Sequence, residues 1–247
     1  MPPSDDPPPA PNGGHNVDSR AAHSGAMYVH VNVATSADGK LSTRERRQVR
    51  ISGDEDFARV DRLRAESDGV LVGVGTVVAD DPSLVRHDET HRRAERGPQA
   101  EPPARVVADT RLRTPTDAAI LQGEPPTYLL HGESASAERR RTLEAAGATL
   151  VSAGSGNDRV EFPAGFEALE SHGVESLLVE GGGEIIYSLF DHGLVDRLTV
   201  FVGGTVLGGR QAPTLADGRG FVGDFPALEL EGIQRLDDGV VLTWAVS

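Results

Sequence analysis

The chain has 247 residues, with 38 acidic side chains against 24 basic ones and a formal charge of −14. It contains no cysteine, which excludes a disulfide framework, a thiol nucleophile, a thiolate zinc site and an iron–sulfur cluster. So acidic a chain, without a Lys/Arg run, lacks the cationic surface that nucleic acid requires. No apolar run approaches the ~20 residues that span a bilayer, and no signal-peptide pattern opens the chain. The expectation is a soluble, cytoplasmic protein with a small-molecule partner, and neither a nucleic-acid nor a membrane partner.

Among the 24 basic residues, 23 are arginine and one is lysine, Lys40. Acid-rich, lysine-poor composition suits a salty cytoplasm, where a dense carboxylate surface stays hydrated, so the chain reads as a halophilic-type acidic protein.

Residues 1–26 carry prolines at 2, 3, 7, 8, 9 and 11 and almost nothing large and apolar. They are expected to form a disordered tail, with Met27 as a candidate natural start. Residues 27–247 are expected to form a single domain.

Within it, short β-branched runs predict strands at Tyr28–Ala34, Gly69–Val74, Ala104–Ala108, Thr127–His131, Ala148–Ser152 and Ser176–Glu180. Helical spacing predicts helices at Asp54–Ser67, Ser136–Gly147, Gly165–Gly173 and Gly183–Gly193. The polar, proline-bearing stretch His87–Pro103 reads as an exposed loop. After the last helix come Asp196–Gly204, Leu228–Asp238 and Gly239–Ser247, with Asp237-Asp238-Gly239 as a hairpin turn. Strand–helix alternation followed by hairpin strands predicts an α/β fold: a mostly parallel central sheet, flanking helices and an antiparallel C-terminal edge.

Three segments carry candidate chemistry. In SLLVEGGGEIIYSLF, an apolar strand runs through Gly181, Gly182 and Gly183 directly into a helix. Such a turn lets backbone approach a phosphate at the helix N-terminus, or serves only tight helix–sheet packing. Glu180 stands at the strand's C-terminal end, where open α/β sheets bind ligands. In GVGTVVADDPSLVR, a buried strand is followed by a Gly-Thr turn; Thr76, Asp80, Asp81 and Arg86 offer a hydroxyl, two carboxylates and a bidentate cation. The alternative there is a helix cap and a proline-terminated turn.

In ATSADGKLS, Lys40 follows an Asp-Gly turn. A lysine there is ordinarily just solvated, but in a chain that otherwise uses only arginine it points to work a guanidinium does poorly, such as donating a proton. The clusters at Arg44, Arg46, Arg47 and Arg50 and at Arg111 and Arg113 are positive islands on an acidic chain. His-Asp-Glu at 87–89 matches half of a zinc-deaminase signature, but without cysteine the other half cannot exist, and no metal site is expected.

Taken in order, ATSADGK, ISGDEDFARVDRLRAESDGVLVGVGTVVADDPSLVR, ARVVADTRLRTP and LLVEGGGEIIYSLFDHGLVDRLTVFVGGTVLGGRQAPT resemble the riboflavin-pathway reductases. The likeness is to the stand-alone archaeal and fungal type that reduces 2,5-diamino-6-ribosylamino-4(3H)-pyrimidinone 5′-phosphate, and it covers Tyr28 to Ser247. It implies a dihydrofolate-reductase-like fold, usually a homodimer, that uses NADPH to convert the ribosylamino group to a ribitylamino group. Bacterial relatives fuse this domain to a zinc deaminase.

Carried over by resemblance, Lys40, Asp38 and Glu180 are the catalytic candidates. Thr76, Asp80, Thr110, Arg111, Arg113, Gly181, Gly182, Gly183 and Glu184 are the cofactor-binding candidates. Asn32, Arg64, Leu84 and Arg86 are placed on the substrate side. One departure is Arg50, where bacterial relatives tend to carry an aromatic. The competing expectations are a pterin or folate reductase of the same fold and a non-catalytic nucleotide-binding module.

Overall fold

A computed structural model describes residues 27–154 and 159–247; the tail expected over residues 1–26 lies outside them. Nine strands form one sheet in the order β5-β4-β3-β2-β6-β1-β7-β9-β8. In chain order they are β1 (Tyr28–Ser36), β2 (Gly69–Gly73), β3 (Ala104–Ala108), β4 (Thr127–His131), β5 (Ala148–Ser152), β6 (Ser176–Val179), β7 (Arg197–Gly203), β8 (Leu228–Leu236) and β9 (Gly239–Val246). From β5 across to β7 every neighbour pair is parallel, and β9 closes the edge antiparallel to β7 and β8. The mostly parallel sheet and its antiparallel edge follow the expected pattern.

Among the described residues six α-helices accompany it: α1 (Asp54–Glu66), α2 (Val74–Asp80), α3 (Glu89–Arg96), α4 (Ala137–Ala145), α5 (Phe162–Glu170) and α6 (Gly183–Asp191). Successive strand residues point to opposite faces, which divides the core in two. Val70, Val72, Val107 and Leu129 pack with Val77 of α2 and Leu143 of α4. Leu71, Val106 and Leu130 pack on the other face with Phe166 of α5 and Ile186 of α6. Strands buried on both faces are read as continuous apolar runs, which is why these five-residue segments are so plain in the sequence.

Two helices differ from the expectation. The Gly-Thr turn predicted at 75–76 is instead the first turn of α2, which starts directly from Gly73 and ends on Asp81 in the left-handed region (φ 42) before Pro82. The run Val74-Gly-Thr-Val-Val continues β2 in composition while leaving it in geometry. The stretch 87–103, expected as an exposed loop, contains α3. Asp88 caps it by accepting from the His91 N–H at 2.9 Å. Arg92 then turns inward, where its guanidinium donates to the carbonyls of Ala65 (2.8 Å), Ser67 (2.7 Å) and Glu101. A helix whose buried anchor is an arginine carries no apolar stripe to read.

A polar layer supports α1. Asp56, buried, holds Arg59 (2.8 Å), and Arg59 donates to the Asn32 side-chain oxygen at 2.9 Å. Beside them His30 shares a 2.7 Å hydrogen bond with Thr199; burial, then the Arg197 and Arg59 charges, push its pKa down to about 3, so it is neutral. The N-terminus of α1 is capped from a distance. Gly53 offers no side chain, and Asp237 in the β8–β9 hairpin accepts from the backbone N–H groups of Glu55 (3.3 Å) and Asp56 (3.0 Å). Its own N–H points back to Glu55 Oε2 at 3.4 Å. Asp237→Ala is therefore expected to cost about 1 kcal/mol of stability, read as a lowered urea midpoint at unchanged slope. A variant as stable as the parent would mean that the cap is idle.

Candidate active site

The four segments singled out in the sequence emerge from the C-terminal ends of four adjacent strands. In the order β3-β2-β6-β1, these ends carry Thr110–Arg113, Thr76–Asp80, Glu180–Glu184 and Asp38–Lys40. In open α/β sheets ligands bind at this edge.

After β1, Ser36 organises a tight turn. Its hydroxyl donates to Asp38 Oδ1 at 2.7 Å and accepts from the Lys40 N–H at 2.9 Å, while the Ser36 N–H donates to the Lys40 carbonyl. Asp38 also accepts from the backbone N–H groups of Leu207 (3.0 Å) and Gly208 (2.7 Å) in the segment after β7. The Ser36 hydroxyl, then the Leu207 and Gly208 N–H groups, hold its pKa down at about 2. Asp38 is thus an acceptor that anchors this segment. Lys40 pairs with Thr214 as an isolated antiparallel bridge, and Nζ lies 3.5 Å from the Ala212 carbonyl.

The same segment reaches the glycine turn. The Asp217 N–H donates to the Gly183 carbonyl at 3.0 Å, and the Asp217 carboxylate accepts from the Thr214 N–H (3.1 Å) and hydroxyl (2.6 Å). A Cβ on Gly183 would overlap the Thr214 carbonyl oxygen and come within 2.7 Å of the Asp217 carboxylate. Residue 183 is therefore glycine because protein packs against it. Gly181 is different: at φ 137 its hypothetical Cβ meets nothing within 4 Å. The three glycines divide into one that admits a protein segment, one that bends the chain (Gly182, φ 91) and one that faces open space.

Glu180, just past β6, is tied to β2 by its N–H to the Leu71 carbonyl (3.0 Å). Its carboxylate receives Arg64 of α1 in a two-pronged pair, Nε to Oε1 at 2.6 Å and Nη2 to Oε2 at 2.7 Å. Burial lowers the Arg64 pKa, but the Glu180 hydrogen bonds and charge outweigh it, and the net shift is upward. Arg64 Nη1 donates to the Arg86 carbonyl at 3.0 Å, and the Arg86 side chain pairs with Asp61 at 2.6 Å.

Asn32 reaches this edge from β1: Val31 pairs with Val179, the last residue of β6, so Asn32 lies level with Glu180 on the neighbouring strand, and its side-chain oxygen is bound by Arg59 of α1. Not every candidate does so. Leu84 is buried in the core below α2 at φ 50. Thr76 is half-buried on α2, while Asp80, Arg111, Arg113 and Glu184 are exposed. Arg50 is engaged at the start of α1, 2.5 Å from Asp54 and with its guanidinium carbon 5.4 Å from the Phe57 ring centre. Sequence reasoning missed Asp217, Asp61 and Arg59, whose partners Gly183, Arg86 and Asn32 lie on other segments of the chain. Among the described residues no cluster of His, Asp or Glu is arranged to hold a metal, and no helix is long and apolar enough to cross a membrane.

The model of the RibD C-terminal domain matches residues 27–242. The chain belongs to that family. A RibD-family relative from Archaeoglobus fulgidus, named 2,5-diamino-6-ribosylamino-4(3H)-pyrimidinone 5′-phosphate reductase, is 42% identical over 217 residues, covering 87% of this chain and 96% of the relative. One of the same name from Methanothermobacter thermautotrophicus is 38% identical, covering 89% and 98%. Among solved structures, Acinetobacter baumannii RibD has a TM-score of 0.75 at 23% identity, covering 90% of this chain. This chain spans 58% of that RibD chain. The likeness extends to the dihydrofolate-reductase-like fold that RibD reductase domains share.

Proposed function

We propose that the chain is an NADPH-dependent reductase that converts the ribosylamino side chain of 2,5-diamino-6-(5-phosphoribosylamino)pyrimidin-4(3H)-one to the ribitylamino form in riboflavin biosynthesis. The observation that carries the reading is the convergence of the Asp38–Lys40, Thr76–Asp80, Thr110–Arg113 and Glu180–Glu184 segments on four adjacent strand ends. The relatives' names supply the substrate.

The residues present suit a dinucleotide phosphate. Gly181 leaves open space beside the start of a nine-residue helix, whose first turn attracts an anion. The Gly181–Glu184 turn would hold the pyrophosphate, Thr76, Asp80 and Thr110 the sugars and amide, and Arg111 and Arg113 the adenosine phosphate. When bound, NADPH supplies a hydride to C1′ of the ring-opened sugar.

The chain's own residues handle the rest. Ring opening breaks the C1′–O4′ bond as the nitrogen lone pair forms C1′=N, and O4′ must take a proton. Lys40 is the donor in this reading, held toward the site by its bonds to Ser36 and its bridge to Thr214. Asp38, held ionised, keeps the Leu207–Asp217 wall in place. The Glu180 carboxylate uses one lone pair on each oxygen for Arg64, which leaves others for pyrimidine N–H donors. Its negative charge also favours the cationic C1′=N group.

We place the protein in the cytoplasm of a salt-rich cell, as a homodimer. The outermost strand supports the dimer: Leu230 and Ile233 of β8 and the neighbouring Phe225 are 51–71% exposed, an apolar edge that a second copy would cover.

The test is NADPH oxidation followed by absorbance with the ribosylaminopyrimidine phosphate and, separately, dihydrofolate. Turnover is expected only with the former. Turnover only with dihydrofolate would make the chain a folate reductase, and NADPH binding without turnover on either would make it a nucleotide-binding module.

A further inference from the structure

The turn after β3 is built more firmly than its surface position requires. Asp109 is fully buried at the strand's end, and its carboxylate takes three hydrogen bonds from the turn itself. Oδ1 accepts from the Arg113 N–H at 2.8 Å; Oδ2 accepts from the Thr114 N–H and hydroxyl, both at 2.7 Å. Leu112, also fully buried, sits at φ 54, a conformation that a leucine adopts only under constraint. A second constraint comes from α4. Arg139 donates through Nε to the Leu112 carbonyl at 2.8 Å and through Nη2 to the Thr114 carbonyl at 2.6 Å. Residues 109, 112 and 114 are thus turned inward and locked, and the alternate residues Arg111 and Arg113 are turned outward.

Position says what the outward pair meets. From β1, which carries Lys40, to β3 is three strand spacings through β6 and β2, about 14 Å across the sheet edge. That separation suits the two ends of an extended dinucleotide, with its reacting ring by Lys40 and its adenosine by the β3 turn.

We infer that Asp109 and Arg139 are positioning residues that preorganise Arg111 and Arg113 to read the 2′-phosphate of the adenosine, and so set the preference for NADPH over NADH. The inference rests on the cofactor reading proposed above and adds to it two residues that touch no ligand. Locking the turn before binding spares the ordering entropy that a flexible arginine loop would lose on meeting the phosphate.

The test is calorimetric binding of adenosine 2′,5′-bisphosphate and of 5′-AMP to the full chain, alongside a thermal melt. The parent is expected to bind the bisphosphate about tenfold or more tightly than 5′-AMP. Arg139→Gln, a half-buried site where folding is expected to survive, should lose most of that ratio while 5′-AMP affinity stays within about twofold. Arg139→Lys, which can restore one of the two bonds, should recover part of it. Asp109→Asn should behave as Arg139→Gln wherever its melt shows a folded protein. A parent that binds both probes alike, an Arg139→Gln variant that keeps the ratio, or equal losses for both probes would each overturn the inference. Failure of the functional reading looks different: the bisphosphate preference and its loss on Arg139→Gln would persist in a protein that does not turn over the ribosylaminopyrimidine phosphate.

Discussion

Replacing Lys40 with methionine is expected to lower kcat for the ribosylaminopyrimidine phosphate by about 10²–10⁴-fold, with NADPH affinity little changed. Methionine keeps an unbranched side chain of similar reach and removes the ammonium alone. The turn should survive, because the Lys40 bonds that build it are backbone bonds to Ser36, and the bridge to Thr214 is likewise main-chain. What disappears is the proton for O4′. Lys40→Arg should not restore the rate, since a guanidinium holds its proton too firmly and is too broad to replace a compact ammonium. Steady-state kinetics with a parallel NADPH titration check this. A Lys40→Met variant within threefold of the parent kcat would place the proton elsewhere, and Asp38 would be a poor substitute, because its carboxylate is held ionised by Ser36, Leu207 and Gly208.

The parallel strands were legible because burial on both faces puts apolar residues at successive positions, as in Val70-Leu71-Val72 and Val106-Val107. The candidate site was legible in outline for a related reason. Parallel strands place their C-terminal ends on one edge, so each polar segment that follows a strand reports the same place. What escaped were features whose signal is not local. Nothing near Gly53 indicates that Asp237 will cap α1 from 181 residues away, and nothing near Gly183 indicates that Asp217 will close over it. Helix α3 hid because Arg92 takes the place of an apolar anchor. Leu84, placed on the substrate side by resemblance, packs into the core, whereas Asn32, placed there likewise, lies level with Glu180.

The Arg64–Glu180 pair provides the second large effect, and on stability rather than chemistry. Both side chains are mostly buried, 16% and 12% exposed, and joined by two hydrogen bonds at 2.6 and 2.7 Å. Removing one member of such a pair strands the other charge in a site that water reaches poorly, which costs about 3–5 kcal/mol for a fully buried pair. Because some solvent reaches this one, Arg64→Ala is expected near the lower end, about 3 kcal/mol, read from denaturant midpoints at constant slope. The same change frees the Arg86 carbonyl, so the chain between α2 and α3 should gain early hydrogen exchange. If the loss comes from the stranded carboxylate, adding Glu180→Gln to Arg64→Ala should recover a substantial part of it, because a neutral amide costs less to leave without an ionic partner. If the double variant is as unstable as the sum of the two singles, the pair contributes no coupling, and the site end of α1 is held instead by Asp61 and Arg86.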